Sequence, residues 1–254
     1  MFSQHLSFQL VSRLQHLLLA CCLALPAMPG FATAPARQKV DLPPSTELKF
    51  AVKARISGLA LEGDAQVRWQ LGPGQYTLLN EWRSNLAGKI YSARSEGGVD
   101  EYGLAPSAFT EKRLRKNPTS LSFDRAARMI RFGPEQEAPL RGGEQDRTSA
   151  VWQLIGLARA APAKFNPGRE IDLLVAGRRD VDAWQFRVEH HAPLNTAFGE
   201  IKAVHLVREP AADAQDQKLD VWLAPSLGWL PVRLRFAEDN GDQVEHLLQQ
   251  IVKQ

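Results

Sequence analysis

Along most of the chain, apolar and polar residues alternate, which is the pattern of β-strands with one buried face. In residues 48–56 every second residue is apolar, and the residues between them are mostly basic. Residues 184–188 and 230–236 repeat this alternation, and Asn240-Gly241 is a typical tight hairpin turn. Patterns of this kind predict about ten strands.

One segment has helical periodicity instead. The apolar residues within 151–158 recur at spacings of three and four, which gives an apolar stripe. Asp146 precedes them at a position where a carboxylate caps a helix N-terminus. The pattern predicts one amphipathic helix, running to about Arg159 and covering one opening of the sheet.

The last segment of the chain fits two patterns. The apolar residues between Val244 and Val252 fit helical spacing, whereas the Asn240-Gly241 turn directly after a strand favours a returning strand. The residues themselves leave both alternatives open.

The predicted fold is mainly β. We expect a curved antiparallel sheet that closes into a barrel or sandwich, with one amphipathic helix packed against it. No strand–helix–strand rhythm, long linker or internal repeat divides residues 37–254, so we expect a single antiparallel β domain there.

Residues 1–36 have the composition of a cleavable signal peptide. Arg13 precedes the apolar run 17–25, and small residues follow it, so cleavage is expected after Ala32 or Ala36. The run is about half of the ~20 residues that a bilayer-spanning helix needs, so no stable transmembrane span is expected after processing. The sequence therefore predicts a periplasmic protein. The competing hypothesis is a lipoprotein anchored through Cys21.

Composition agrees with an exported globular protein. The 254 residues are 44% hydrophobic and 23% charged, which argues against disorder. The net charge of +3 gives no strong attraction to nucleic acid. Both cysteines, Cys21 and Cys22, lie in the predicted leader, so the mature protein needs no disulfide or thiol nucleophile.

The search for catalytic and metal-binding motifs gives no candidate. The chain has no His-x-x-x-His pair, no Gly-x-Ser-x-Gly motif and no phosphate-binding glycine loop. We therefore assign no catalytic residue, no metal ligand and no cofactor, and we expect a protein that is not an enzyme. Asp146 is interpreted as a helix cap rather than a catalytic carboxylate.

Three features suggest binding. The aromatic residues Phe50, Trp69, Trp184 and Phe186 alternate with polar neighbours and are the candidates for binding an apolar ligand on the concave face. The basic run 112–116 is interpreted either as a contact for anionic lipid headgroups or as a solvated strand edge. Trp222 is unusual because it shares a strand face with Asp220 rather than with Val221, and it is interpreted either as packing in the core or under a loop, or as covering the outer face of the sheet or lining a ligand mouth.

Several motifs, in their order along the chain, resemble one family. They are Gly143-Glu144-Gln145-Asp146-Arg147-Thr148-Ser149, Trp152-Gln153-Leu154, the segment 196–206, Val221-Trp222-Leu223-Ala224-Pro225, Leu230-Pro231-Val232-Arg233 and Asn240-Gly241-Asp242. Over roughly residues 46–253 the chain resembles the bacterial exported family known as domain of unknown function 3108. The resemblance implies an antiparallel β architecture with a strand as the last segment, and it brings no catalytic residues. The outline is also similar to periplasmic lipoprotein carriers, whose curved sheets hold acyl chains.

Two functional hypotheses follow from these observations. In the first, a non-enzymatic periplasmic protein has a binding or envelope-maintenance role and holds an apolar or lipid-like ligand in its curved sheet. In the second, a structural adaptor binds another envelope protein through a sheet edge. A large apolar cavity favours the first hypothesis, and a filled interior with an exposed edge strand favours the second.

Overall fold

The computed structural model describes residues 37–210 and 217–253. The predicted signal peptide, residues 1–36 with Cys21, lies outside the described residues, so the cleaved-leader and lipoprotein hypotheses both stay predictions.

Fifteen strands, in the part of the chain that the structure describes, belong to one sheet. They are β1 (Thr46–Ile56), β2 (Leu59–Gly72), β3 (Gln75–Ser84), β4 (Gly88–Asp100), β5 (Gly103–Arg113), β6 (Thr119–Asp124), β7 (Met129–Phe132), β8 (Gln136–Pro139), β9 (Gln145–Asp146), β10 (Glu170–Ala176), β11 (Val181–Thr196), β12 (Gly199–Arg208), β13 (Lys218–Ala224), β14 (Leu230–Ala237) and β15 (Gln243–Lys253).

The sheet is built from two antiparallel meanders. Strands β1 to β8 follow one another in space, as do β10 to β15, and β1 pairs with β15 to join the two halves. The short strand β9 pairs in parallel with β10. The mainly antiparallel β fold is therefore confirmed, and the last segment is a strand. Within the described residues the ladder is not closed, because β8 and β9 form its two ends.

The alternation in the sequence predicts the inward-facing residues correctly. Leu48, Phe50, Val52 and Ala54 of β1 are buried, while Lys49 lies on the other face. The same alternation continues through β2 and β3, because the antiparallel register places inward residues opposite inward residues. The buried faces of the two meanders form one main hydrophobic core.

The helix α1 (Ser149–Ala160) is enclosed, not merely packed over an opening as expected. All ten residues from Ser149 to Ala158 are buried. The reason is that residues 37–45 cover the side of the helix that the sheet leaves open. The Asp41 N–H donates to the Gly156 carbonyl at 2.9 Å, and a side chain on Gly156 would meet Leu42 at 3.0 Å.

Two 3-10 turns, Pro162–Phe165 and Pro225–Leu227, complete the helical segments of the described residues. Among those residues, no helix has both the length and the apolar character needed to cross a membrane.

Candidate functional site

The four residues predicted to bind an apolar ligand all lie in the main core. Phe50, Trp69, Trp184 and Phe186 are each at most 5% exposed. Trp69 stacks on Trp152 of α1, with ring centroids 4.5 Å apart, and its indole N–H donates to a backbone carbonyl at 2.8 Å. The helix therefore occupies the space next to Trp69 where a ligand was expected.

The other three predicted ligand residues also contact protein. Trp184 lies 6.1 Å from Phe186, and the Arg208 guanidinium lies 4.4 Å from the centre of the Trp184 ring. Phe50 packs against the ring of His246 at 6.0 Å. The structure thus brings Trp184 and Phe186 together. Ligand binding by the four residues stays a prediction.

Among the described residues, two surface clefts have mostly polar or charged residues in their linings. One, of about 250 Å³, lies between β8 and the β10–β11 turn, with Glu137, Arg141 and Asp180 in its lining. The other, of about 440 Å³, lies across β15, β1, β2 and β3, and Phe50 borders it together with Lys49. Each lining contains several charged side chains, which suits an acyl chain poorly.

A buried polar network holds the start of α1. The Asp146 carboxylate is fully buried and accepts the N–H groups of Thr148 and Ser149, each at 2.8 Å. Ser95 donates its hydroxyl to the same carboxylate, and Tyr76 is hydrogen-bonded to Ser95 at 2.9 Å. The Asp146 carboxylate therefore satisfies two N–H groups at the start of α1, although the helix begins at Ser149 and the residue directly before it is Thr148, whose own side chain makes no capping hydrogen bond.

Burial dominates the acid–base behaviour of this network. It raises the pKa of the Asp146 carboxyl, although the hydrogen bonds from Ser95, Ser149 and Thr148 oppose the effect. Burial also raises the pKa of the Tyr76 hydroxyl, and the nearby Asp146 carboxylate raises it further. Asp146 and Ser95 are fully buried and Tyr76 is 2% exposed, so the network holds the start of α1 within the fold.

Two glutamines connect β5 to α1 and β9, at the part of β5 that pairs with β4 but not with β6. The Gln153 side chain accepts the Leu104 N–H at 2.9 Å and donates to the Tyr102 carbonyl at 2.7 Å. Gln145 donates to the Leu104 carbonyl at 2.7 Å. Side chains thus replace a neighbouring strand along this part of β5. The sequence analysis missed this role, although both glutamines lie in the motifs that carry the family resemblance.

The exposed edge strand β8 is poorly suited to pairing with another strand. It has only four residues, it ends at Pro139, and Glu137 on it forms an ion pair with Arg131 at 2.9 Å. Short length, proline and charge are the features by which proteins protect sheet edges from strand addition.

A different group of residues covers the outer face of strands β12 to β15. We call it the Trp222 cluster, and it consists of His205, Asp220, Trp222, Arg233 and Arg235. The register places His205 and Arg233 on either side of Trp222. The His205 ring stacks parallel to the Trp222 ring at 4.2 Å, and the Arg233 guanidinium lies 4.6 Å from the ring centre.

Asp220 lies at the centre of the charges in this cluster. It is 1% exposed, and it is hydrogen-bonded to the His205 Nε2 at 2.8 Å and to Arg235 at 2.9 Å and 3.1 Å. Burial raises the pKa of Asp220, but the two partners outweigh burial and hold the pKa below its usual value. Arg233 pairs in turn with Glu245 of β15. The cluster is therefore internally neutralised and rigidly packed.

Little of the cluster is exposed: Trp222 is 8% and His205 9% exposed, while the side chains of Arg233 and Arg235 are 27% and 37% exposed. His190, an exposed residue of β11, lies edge-on to His205 with ring centroids 5.3 Å apart. Within residues 37–210 and 217–253, no three His, Cys, Asp or Glu side chains are grouped so as to hold a metal ion. Arginine is among the side chains that most often dominate protein–protein binding. In the sequence, this face is indicated by Trp222, which points to the opposite side of its strand from Val221. The residues that stack on Trp222 come from other strands.

The chain is similar to one sequence family and to solved structures. The family model described as "Protein of unknown function (DUF3108)" matches residues 49–248. No curated protein matches the chain significantly. A beta-barrel-like protein of the DUF1849 domain from Brucella abortus is 12% identical, with a TM-score of 0.50, and the match covers 85% of this chain and 99% of that one. A protein with a YmcC-like fold from Bacteroides fragilis is 10% identical, with a TM-score of 0.34, over 86% of this chain and 100% of that one.

Proposed function

We propose that this chain, which belongs to the DUF3108 family, is a non-enzymatic, exported envelope protein that binds another envelope protein through the outer face of its sheet. The family is described as one of unknown function, so the proposal is argued from this chain's own residues. Its location in the periplasm rests on the signal peptide predicted in residues 1–36.

The enclosed helix α1 carries the proposal. A carrier must keep an apolar face that its own side chains do not fill. Here α1 occupies the concave side of the sheet, and its ten residues Ser149–Ala158 are all buried. The helix is held at its start by Asp146 and near its end by Arg159, whose guanidinium lies 3.0 Å from the Asp41 carboxylate. Displacing it for a ligand requires breaking these contacts, which supports binding on the outside.

The Trp222 cluster is the part of the outer face that best suits a partner. Its accessible groups are the guanidinium groups of Arg233 and Arg235, which the buried Trp222 ring and the buried Asp220 already hold in place, so binding costs little side-chain entropy. The edge strand β8, which the adaptor hypothesis would use, is protected by its proline and charges. We therefore place the binding surface on the face of the sheet instead of its edge.

Site-specific photo-crosslinking in the intact cell envelope tests the proposal. A crosslinking amino acid at His190, next to the Trp222 cluster, is expected to give one discrete adduct with another envelope protein. The same amino acid at Gln70, exposed on β2, serves as the control and is expected to give none. Adding Arg233→Ala and Arg235→Ala in the His190 background is expected to remove the adduct in a variant that keeps its thermal unfolding transition.

Two results would contradict the proposal. One is the absence of an adduct at His190, or equal adducts at His190 and Gln70. The other is native mass spectrometry of the purified chain showing one apolar molecule bound per chain, lost on Trp184→Glu in a variant that keeps its thermal unfolding transition. That second result would support the alternative in which the sheet holds a lipid-like ligand.

A further inference from the structure

The hairpins at one end of the sheet form a distinct surface. The turns between β1 and β2, between β3 and β4, and between β5 and β6 all lie at the same end, because successive strands are antiparallel. Backbone hydrogen bonds connect them side by side: the Asn85 N–H donates to the Glu62 carbonyl at 3.0 Å, and the Leu114 N–H donates to the Ile90 carbonyl at 2.7 Å. We call these three turns and their flanking residues the hairpin end.

Each of the three hairpins exposes one leucine. Leu59 is 67% exposed, Leu86 is 83% exposed and Leu114 is 42% exposed. Single exposed apolar residues are ordinary on protein surfaces. Here, however, three of the four exposed large hydrophobic residues within the described part of the chain lie at one end, one on each adjacent hairpin.

The same hairpins are strongly basic. Residues 53–62, 83–90 and 111–118 contain eight lysines and arginines and only two glutamates. One of these glutamates, Glu111, is paired with Arg113 at 2.8 Å. The neighbouring β14–β15 hairpin, residues 238–242, is acidic and marks the border of the basic surface. The hairpin end thus combines protruding apolar tips with surrounding positive charge.

We propose that the hairpin end binds the surface of a lipid bilayer with anionic headgroups. The leucines lie on separate hairpins, and each pair of strands places neighbouring leucines roughly 10 Å apart. They therefore form three separate apolar contacts and not one apolar groove. A bilayer interface accommodates such contacts, whereas a folded protein partner needs a contiguous patch. The leucine side chains enter the acyl boundary, and the lysines and arginines contact the phosphates.

This inference extends the proposed function and does not depend on it. Docking through the hairpin end leaves the outer face of β12 to β15 available to a partner protein. It also gives the basic run 112–116 the lipid-contact role that the sequence left open. It depends only on the chain reaching a phospholipid surface, as the predicted export provides.

Co-sedimentation with vesicles tests the proposal on the purified chain without residues 1–36. Binding to vesicles of phosphatidylcholine with phosphatidylglycerol is expected to exceed binding to phosphatidylcholine alone by at least about fivefold, and to weaken with added salt. The combined variant Leu59→Ser, Leu86→Ser, Leu114→Ser is expected to lower binding at least about tenfold, because apolar insertion is lost. These residues are exposed, so circular dichroism is expected to show an unchanged fold.

Matched controls separate insertion and charge from general effects. Phe198→Ser removes an exposed aromatic residue, 40% exposed, from the β11–β12 hairpin at the opposite end of the sheet, and it is expected to leave binding unchanged. Lys53→Glu with Lys116→Glu is expected to abolish the preference for phosphatidylglycerol, whereas Lys202→Glu, near Phe198, is expected to preserve it.

The proposal is overturned if the two kinds of vesicle bind the chain equally, or if the three-leucine variant binds as well as the original. It is also overturned if sedimentation equilibrium shows a dimer that this variant dissociates while vesicle binding is absent, because the leucines would then serve self-association. The crosslinking result at His190 is independent of all these outcomes.

Discussion

Trp69 of β2 and Trp152 of α1 stack with their ring planes 16° apart and their centroids separated by 4.5 Å. The two residues are distant in sequence, so this contact fixes the helix on the concave face of the sheet. Tyr76 of β3 stacks on Trp69 as well, at 5.6 Å. A row of aromatic rings therefore joins two strands to the helix inside the main hydrophobic core.

Truncating Trp152 is expected to destabilise the fold strongly. Trp152→Ala removes a side chain that is 3% exposed and leaves a cavity beside Trp69. Losses of this kind cost about 3–5 kcal/mol, from the lost burial and the cavity together. The urea midpoint of unfolding measures the effect. Leu86→Ala, at an exposed position, is the control and is expected to stay within about 0.5 kcal/mol of the original chain.

Removing the cap of α1 is expected to cost more than an exposed helix cap does. Asp146→Ala leaves the Ser95 hydroxyl and the N–H groups of Thr148 and Ser149 without their acceptor inside the protein. We expect a loss of about 2–3 kcal/mol from unsatisfied buried groups. Thermal and urea unfolding both measure it.

Asp146→Asn separates the cap from the charge. The asparagine carbonyl can still accept the two N–H groups, while the buried charge is removed. Because burial raises the pKa of Asp146, the ionised form is the one that the fold disfavours. We expect the Asn variant to be clearly more stable than the Ala variant at neutral pH. Equal destabilisation by the two changes would contradict the capping role.

The sequence predicts those elements that have one buried face. The alternation in β1, β11 and β14 directly reflects a face turned to the core, and the spacing in 151–158 predicts α1 to within a few residues. The enclosure of α1 was not predicted, because the covering segment, residues 37–45, lies about a hundred residues away along the chain and shows no periodicity.

The candidate site was predictable only in part, for a related reason. The sequence identifies Trp222 as a residue on the polar face of its strand. Its partners His205 and Arg233 come from β12 and β14, and their contact depends on the register between strands. Register follows from turn geometry and packing, which a single sequence does not specify at this distance. The roles of Gln145 and Gln153 were missed because a polar residue in an apolar segment has many possible partners.

His246 is expected to make the fold sensitive to mild acid. Its ring lies in the core beside Phe50 and Phe236, and its Nδ1 has no hydrogen-bond partner among the described residues. Burial lowers the pKa of His246 to about 4. The unfolded chain has an ordinary histidine pKa of about 6.5, so the unfolded state takes up the proton first as the pH falls. Stability is therefore complete above about pH 6.5 and is lost between about pH 6.5 and 4.

The size of this loss is about 3 kcal/mol between those pH values. Urea unfolding at a series of pH values measures it. His246→Leu keeps an apolar side chain of similar size and is expected to flatten the profile in this range, whereas His190→Leu, at an exposed position, is expected to leave it unchanged. An identical pH profile for the original chain and His246→Leu would refute the assignment.

Asp220 is expected to hold the Trp222 cluster together through two partners of unequal importance. Asp220→Ala removes the acceptor for both His205 and Arg235, and we expect a loss of about 2 kcal/mol. Arg235→Ala is expected to cost less, about 1 kcal/mol, because its side chain is 37% exposed and water can solvate it. A double-mutant cycle of these two changes isolates the Asp220–Arg235 pair, and a coupling of about 1 kcal/mol is expected.

Since His205 stacks on Trp222, Asp220→Ala is also expected to change the tryptophan fluorescence, and Arg235→Ala much less. If Asp220→Ala and Arg235→Ala have equal effects on stability and fluorescence, then His205 does not depend on Asp220 for its position, and the stacked arrangement proposed to bind a partner is maintained by packing alone.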